Sequence, residues 1–357
     1  MSTPERSPAD DVDGRHSHEI PTLATAPGSA DSGGQRVVST RRLQVYSGRS
    51  NEALAADIAT ALGVELGEAN LSEFADGEVH CRFQDSVRGA DVFIIQSHAK
   101  PVNKAIMEQL IMIDAAKRAS AKRVTAVCPY YAYSRQDRKA AGREPITAKL
   151  LANMFSTAGV DRMVGVDLHS GQLQGFFDVP VDHLTALPIL TRWVRGNLGS
   201  DVVIVSPDAG RVKVAERLAR SLSADLAIVH KRREVGSVNL AHALDVVGDV
   251  DGRTCLLVDD MIDTAGTICA GSEQLIAHGA TEVHAMATHG VFSDPALDRL
   301  KNSAITRVAV TDSLPLAPDR RIDKVEVLSV ATTVAEALAA VFQEESVSEL
   351  FGGENQS

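Results

Sequence analysis

The sequence predicts an α/β protein of two similar halves, each a mostly parallel sheet flanked by helices. Short apolar runs alternate with helical patterns along the chain, and the series is run through twice. At 357 residues the chain also exceeds what one hydrophobic core usually organises, so two domains are expected. Composition narrows the ligands. A net charge of -11 argues against a general affinity for nucleic acid or for an anionic membrane, because either needs a broad basic surface. Cys81, Cys128, Cys255 and Cys269 show neither C-x-x-C pairing nor zinc spacing, which reads as reduced thiols in a cytoplasmic protein. No apolar run approaches the ~20 residues that cross a bilayer, and the N-terminus lacks a secretion signal.

Taken in order, residues 1–42 are rich in Pro, Ser, Gly, Asp and Thr without a periodic apolar face, which predicts a disordered extension. The first half, 43–190, carries strands at Leu43 to Tyr46, Val92 to Ile95, Val124 to Val127 and Met163 to Val166, with helices near 102–119 and 146–158. The second half, 191–330, repeats the pattern with Val202 to Val205, a helix bearing Val214, Leu218 and Leu222, then strands at 226–229, 254–258 and 283–286. A strand at Val325 to Val330 precedes a last helix, within 331–351, that is expected to return to the first half; 352–357 read as a loose tail.

The chemistry concentrates at V-D-D-M-I-D-T-A-G-T, 258–267. An apolar strand ends in two acids, and a small-residue turn opens a helix. Amides from Thr264 through Ala265 and Gly266 to Thr267, with the two Thr hydroxyls, suit a phosphate monoester, because the N–H groups at a helix start are unpaired. Asp259 and Asp260 stand where they can bind vicinal sugar hydroxyls. A Thr-capped helix after an aspartate-ended strand is the plain alternative.

Five other segments bear on the choice. Pro129 to Arg138 delivers aromatics, then Arg135, Gln136, Asp137 and Arg138, a composition suited to phosphate oxygens and a base edge. Phe74, Asp76 and Glu78 offer a ring to stack on a purine and carboxylates to accept from it. Val166-Asp167-Leu168-His169 ends a strand, and period-two alternation sets Asp167 and His169 on one side of the carboxyl edge. Mg2+ prefers oxygen over imidazole, so His169 needs a partner, which Ser206-Pro207-Asp208-Ala209-Gly210 supplies at another strand end. Lys231-Arg232-Arg233 is either a solvated turn or a basic lid over transferring phosphates.

In this order FADGE, PYYAYSRQDR, VDLHSGQLQGFFDVPVDHL, VSPDAG, KRR and VDDMIDTAGT resemble the ribose-phosphate pyrophosphokinases, over about Leu43 to Phe351. The resemblance implies two domains of the phosphoribosyltransferase type and transfer of the pyrophosphoryl group of ATP to ribose 5-phosphate with Mg2+. It assigns Phe74, Asp76, Glu78, Arg135, Gln136 and Asp137 to ATP, with the FADGE loop arriving from a neighbouring subunit. It assigns Asp259, Asp260, Asp263, Thr264, Ala265, Gly266 and Thr267 to ribose 5-phosphate, His169 and Asp208 to the metal, and Lys231 with Arg233 to the catalytic loop. It also implies a homohexamer with phosphate as activator and ADP as inhibitor, for which Arg88, Ser97 and Arg143 are the candidates.

Three departures stand out. Arg211 replaces a Gly common in the family, as in related bacterial sequences, and offers a phosphate contact. Glu234 to Val238 lacks a further loop Arg, and Ala265 replaces a Gly. The missing Arg leaves open a non-catalytic regulatory paralogue, and the shared loop leaves open a phosphoribosyltransferase, although that class is generally shorter.

Overall fold

The computed structural model describes residues 41–199, 201–232 and 243–351. The extension before 41, the tail from 352 and Arg233 lie outside these residues.

Six strands form the first sheet: β1 (Leu43–Ser47), β2 (Leu66–Gly67), β5 (Asp91–Ile95), β6 (Arg123–Cys128), β7 (Arg162–Val166) and β8 (Val181–Leu184). Their order is β2-β1-β5-β6-β7-β8, all parallel. A separate antiparallel hairpin, β3 (Ala69–Glu73) and β4 (Val79–Phe83), projects from this half. The second sheet contains β9 (Val202–Ser206), β10 (Leu226–Arg232), β11 (Ala243–Val247), β12 (Thr254–Ile262), β13 (Glu282–Gly290), β14 (Ile305–Thr311) and β15 (Val325–Leu328). It runs β11-β10-β9-β12-β13-β14-β15, parallel except for the edge strand β11.

Strands buried on both faces explain the continuous apolar runs. In β5, Phe93 and Ile95 face one core while Val92 and Ile94 face another. In β12, Leu256 and Val258 share the first of these cores, while Cys255 and Leu257 enter a third. The shared core is a helical layer between the two sheets: α1 (Glu52–Leu62), α4 (Leu187–Asn197), α5 (Val212–Leu222) and α8 (Ala331–Gln343). Outside the first sheet pack α2 (Val102–Arg118) and α3 (Thr147–Ala158), and outside the second α6 (Gly266–Ala277) and α7 (Ala296–Asn302).

Helix α8 follows β15 of the second sheet in the chain. It packs on α1, burying Val334 and Leu338 completely, and each such side chain contributes roughly 1.5–3 kcal/mol. The Arg41 guanidinium lies 4.8 Å from the centre of the Phe342 ring, and Glu344 pairs with Arg41 and Arg123 at 3.3 Å each. No helix among the described residues is long and apolar enough to cross a membrane.

Candidate active site

The central strand β12 runs further than the apolar residues suggest. Its parallel pairing with β13 continues through Asp259↔Ala287 to Ile262↔Gly290, so both acids lie within the strand rather than after it. Hydrogen bonding of the backbone to β13 holds them rigidly. The chain then turns through Asp263 and Thr264, and Ala265 adopts φ 59, the left-handed region that lets the chain enter α6. No side chain caps this helix start, so its first amides face the loop, with Thr264 and Thr267 exposed beside them. Arg299 Nη1 donates to the Thr264 carbonyl at 3.0 Å and braces the turn from below.

A cavity of about 280 Å³ sits over this loop. Residues 259–268 line it together with Arg135, His169, Asp208 and Arg211, four residues drawn from three other strand ends. Arg135 arrives from the loop after β6, and its Nη1 donates to Asp263 Oδ2 at 2.6 Å. Asp263 is held below the ordinary carboxylate range: burial opposes this, and Ser293 and Arg135 overcome it. Gln136 Oε1 accepts from Thr147 Oγ1, and Asp137 Oδ2 accepts from Ser170 Oγ and Gln172 Nε2, so both are held at the edge of the same loop cluster.

The acid pair is electrostatically tense. Burial, reinforced by Asp260, pushes the Asp259 carboxyl up to about 8. Asp260 is likewise raised by burial, but His169, Asp259 and Arg211 outweigh that and leave it low. The two carboxyls therefore titrate as a pair, with Asp259 held high and Asp260 held low. His169 Nδ1 lies 2.7 Å from Asp260 Oδ2. Asp208 is exposed, with Oδ1 accepting from its own turn at Gly210 N.

Among the described residues no group of three or more His, Cys, Asp or Glu side chains is gathered as a metal cage. Mg2+ does not need such a cage, since it usually takes one or two protein ligands and fills the rest with water and phosphate oxygens. Asp260 Oδ1 is buried beside the Arg211 guanidinium, 3.1 Å away, without an aligned hydrogen bond.

Not every expectation meets here. Asp167 does not lie beside His169. Strand β7 ends at Val166, Asp167 takes φ 38, and alternation stops. Its carboxylate turns inward instead and accepts from Thr185 Oγ1, Ala186 N and Thr288 Oγ1. Phe74, Asp76 and Glu78 form the exposed tip of the β3–β4 hairpin, where Gly77 at φ 94 makes the turn, and none of them lines the cavity. Lys231 lies on β10 opposite Leu244. Arg88 and Arg143 are exposed, whereas Ser97 is fully buried and donates to the Ser313 carbonyl at 2.7 Å.

Arg211 is the contact that sequence reasoning underrated. Its guanidinium reaches Asp259 Oδ1 (3.2 Å) and Asp260 Oδ1 (3.1 Å), and Nη1 donates to the His169 carbonyl at 3.2 Å. The signal was present as a cation in a Gly position at a strand end.

A doubled parallel α/β frame, with a small-residue loop opening a helix beside strand-borne acids, defines the phosphoribosyltransferase-type class of fold. Known proteins refine that class. Residues 43–159 match the family described as the N-terminal domain of ribose phosphate pyrophosphokinase, and residues 235–352 match the phosphoribosyl synthetase-associated domain. Ribose-phosphate pyrophosphokinases of Streptomyces avermitilis and Streptomyces coelicolor are 53% and 52% identical over 319 residues, covering 89% of this chain and 98% of each relative. The crystal structure of phosphoribosylpyrophosphate synthetase from Mycobacterium smegmatis superposes with a TM-score of 0.81 at 49% identity, over 85% of this chain and 99% of that one. The chain belongs to the ribose-phosphate pyrophosphokinase family.

Proposed function

We infer that this enzyme transfers the pyrophosphoryl group of ATP to the C1 hydroxyl of ribose 5-phosphate. The products are 5-phosphoribosyl 1-pyrophosphate and AMP. The observation that carries the reading is the convergence of the uncapped α6 start, the strand-borne Asp259 and Asp260, and Arg135 on one cavity. The similarity to named pyrophosphokinases over nearly the whole chain supports it over a phosphoribosyltransferase.

In this reading the phosphate of the sugar rests on the amides of Thr264 to Thr267, and its vicinal hydroxyls on Asp259 and Asp260. Arg135, Gln136 and Asp137 take the nucleotide. The C1 oxygen attacks the β-phosphorus in line and loses its proton, the bond between the α- and β-phosphates breaks, and AMP departs with the bridging oxygen. No side chain becomes covalently attached, so catalysis is positioning and charge neutralisation. Lys231 and Arg233 supply cations to the transferring group. Mg2+, held by His169 and Asp208 with phosphate oxygens, would neutralise the triphosphate.

The exposed hairpin tip supports the idea that Phe74, Asp76 and Glu78 complete the nucleotide site of a neighbouring copy in a homohexamer. The Phe74 ring is 57% exposed at this turn and so is available to stack on a ligand of a neighbouring copy. Phosphate and ADP as regulators remain part of the reading for Arg88 and Arg143, and for Ser97 only after its interdomain hydrogen bond opens. Four free cysteines support a reducing, cytoplasmic setting.

Incubation with Mg-ATP and ribose 5-phosphate is the test. AMP and phosphoribosyl pyrophosphate appearing in equal amounts support the enzyme. Retained ATP binding without turnover would instead indicate the regulatory paralogue.

A further inference from the structure

We propose that Arg211 is a tethered counter-ion, filling in the free enzyme the electrostatic place that a divalent cation and the sugar take when they bind. The proposal rests on the reading of this cavity as the sugar and metal site.

The contacts are those of a placeholder. Arg211 is only 17% exposed and lies within 3.2 Å of both carboxylates. Adjacent residues on a strand point to opposite faces, yet a long side chain entering from the start of α5 reaches both carboxylates here. Yet the bonding is incomplete. Asp260 Oδ1, 3.1 Å from Arg211 Nη2, has no aligned hydrogen bond. Nη2 also lies 2.8 Å and 3.1 Å from the two ring nitrogens of His169. His169 Nδ1 can donate to Asp260 Oδ2, 2.7 Å away, which leaves Nε2 to accept from Arg211 and keeps Asp260 Oδ1 as the unmatched atom. The guanidinium thus supplies charge where the donors and acceptors do not fully match.

It also borders open space on two sides. Arg211, His169, Asp259 and Asp260 form the wall shared by the outer cavity and an inner one of about 60 Å³, which lies against Asp167, His183 and Thr288. With space on both sides, displacement of the guanidinium sacrifices few packing contacts. A divalent ion approaching His169 must therefore compete with a resident cation. Relocated, Arg211 can follow the incoming phosphate groups, so that loading of metal and sugar is linked to one side-chain movement.

The test uses the full-length protein without nucleotide or sugar. Binding of Mn2+ alone is measured by water-proton relaxation for wild type, R211G, R211Q and R211K. A charge within ~4–6 Å shifts a carboxylate equilibrium by about 1–3 units, so R211G and R211Q are expected to bind Mn2+ at least about tenfold more tightly than wild type. R211K, which restores the charge, is expected to stay close to wild type. Folded R211G and R211Q binding Mn2+ no more tightly than wild type would overturn the proposal. If neither folds, the wild-type protein decides: Mn2+ accelerating phenylglyoxal modification of Arg211, read on its peptide by mass spectrometry, supports it, and an unchanged or slower rate overturns it. Because no turnover is needed, these outcomes are separate from the AMP assay.

Discussion

Arg135 and Asp263 join the two halves of the molecule across the site, Nη1 lying 2.6 Å from Oδ2. One comes from the loop after β6 of the first sheet and the other from the loop after β12 of the second. The pair couples the nucleotide side of the proposed site to the sugar side. Arg135 is half exposed, so the bond adds at most about 1 kcal/mol to stability. Asp263→Asn should leave the melting temperature almost unchanged and raise the KM for both substrates. A large stability loss with unchanged KM values would assign the pair a structural role instead.

Lys231→Ala tests the proposed catalytic cation. Removal of one transition-state donor typically lowers the rate by ~10²–10³. We expect that loss in kcat with KM values nearly intact. Steady-state kinetics in which KM rises and kcat holds would remove Lys231 from the chemistry.

Ala265 carries the turn into α6 at φ 59, where an L-residue costs about 1–2 kcal/mol. Ala265→Gly relieves that strain but loosens the unfolded chain by roughly 0.5–1 kcal/mol, so urea denaturation should detect a net gain of no more than about 1.5 kcal/mol. Ala265→Val, β-branched and buried at this backbone angle, should distort the loop and raise the KM for ribose 5-phosphate. Normal sugar affinity in Ala265→Val would argue that the loop does not hold the phosphate.

Acid stability depends on buried histidines. Burial lowers His98 to about 4, against which its bond to Gln109 works only weakly. The Ala132 amide donates to Nδ1 at 3.1 Å, which requires that nitrogen to be unprotonated. The unfolded chain therefore takes up a proton that the folded one refuses. The stability from His98 is complete above pH 6.5 and is lost as pH falls from 6.5 toward about 4, by up to roughly 3 kcal/mol. His98→Gln should reduce proton uptake on unfolding by about one in that window. An unchanged slope of stability against pH would contradict it. His183 and His289, also lowered by burial, keep part of the slope in the variant.

Much of this molecule is legible in the sequence because its strands are buried on both faces. Val92 to Ile95 and Val202 to Val205 read as unbroken apolar runs, and such runs followed by helical patterns leave few alternatives to a parallel sheet. The loop from Asp259 to Thr267 was legible for a local reason, since acids, small residues and a helix start follow one another within ten positions. Contacts made at long range were not. Extrapolated alternation placed Asp167 beside His169, but a single left-handed residue after β7 sends its carboxylate to Thr185 and Thr288. The extent of β12 was underestimated because charged residues end an apolar pattern without ending a hydrogen-bonded ladder. Nor does local pattern reveal that Arg211 reaches back to Asp259 and Asp260, or that Ser97 is sealed against Ser313.

The most direct measurement is a crystal structure with ribose 5-phosphate and a non-hydrolysable ATP analogue. The sugar phosphate is expected on the amides of Thr264 to Thr267, its vicinal hydroxyls on Asp259 and Asp260, and its C1 oxygen facing the β-phosphorus beside Arg135. A sugar lodged away from this loop, or a nucleotide whose β-phosphorus lies beyond reach of C1, would contradict it.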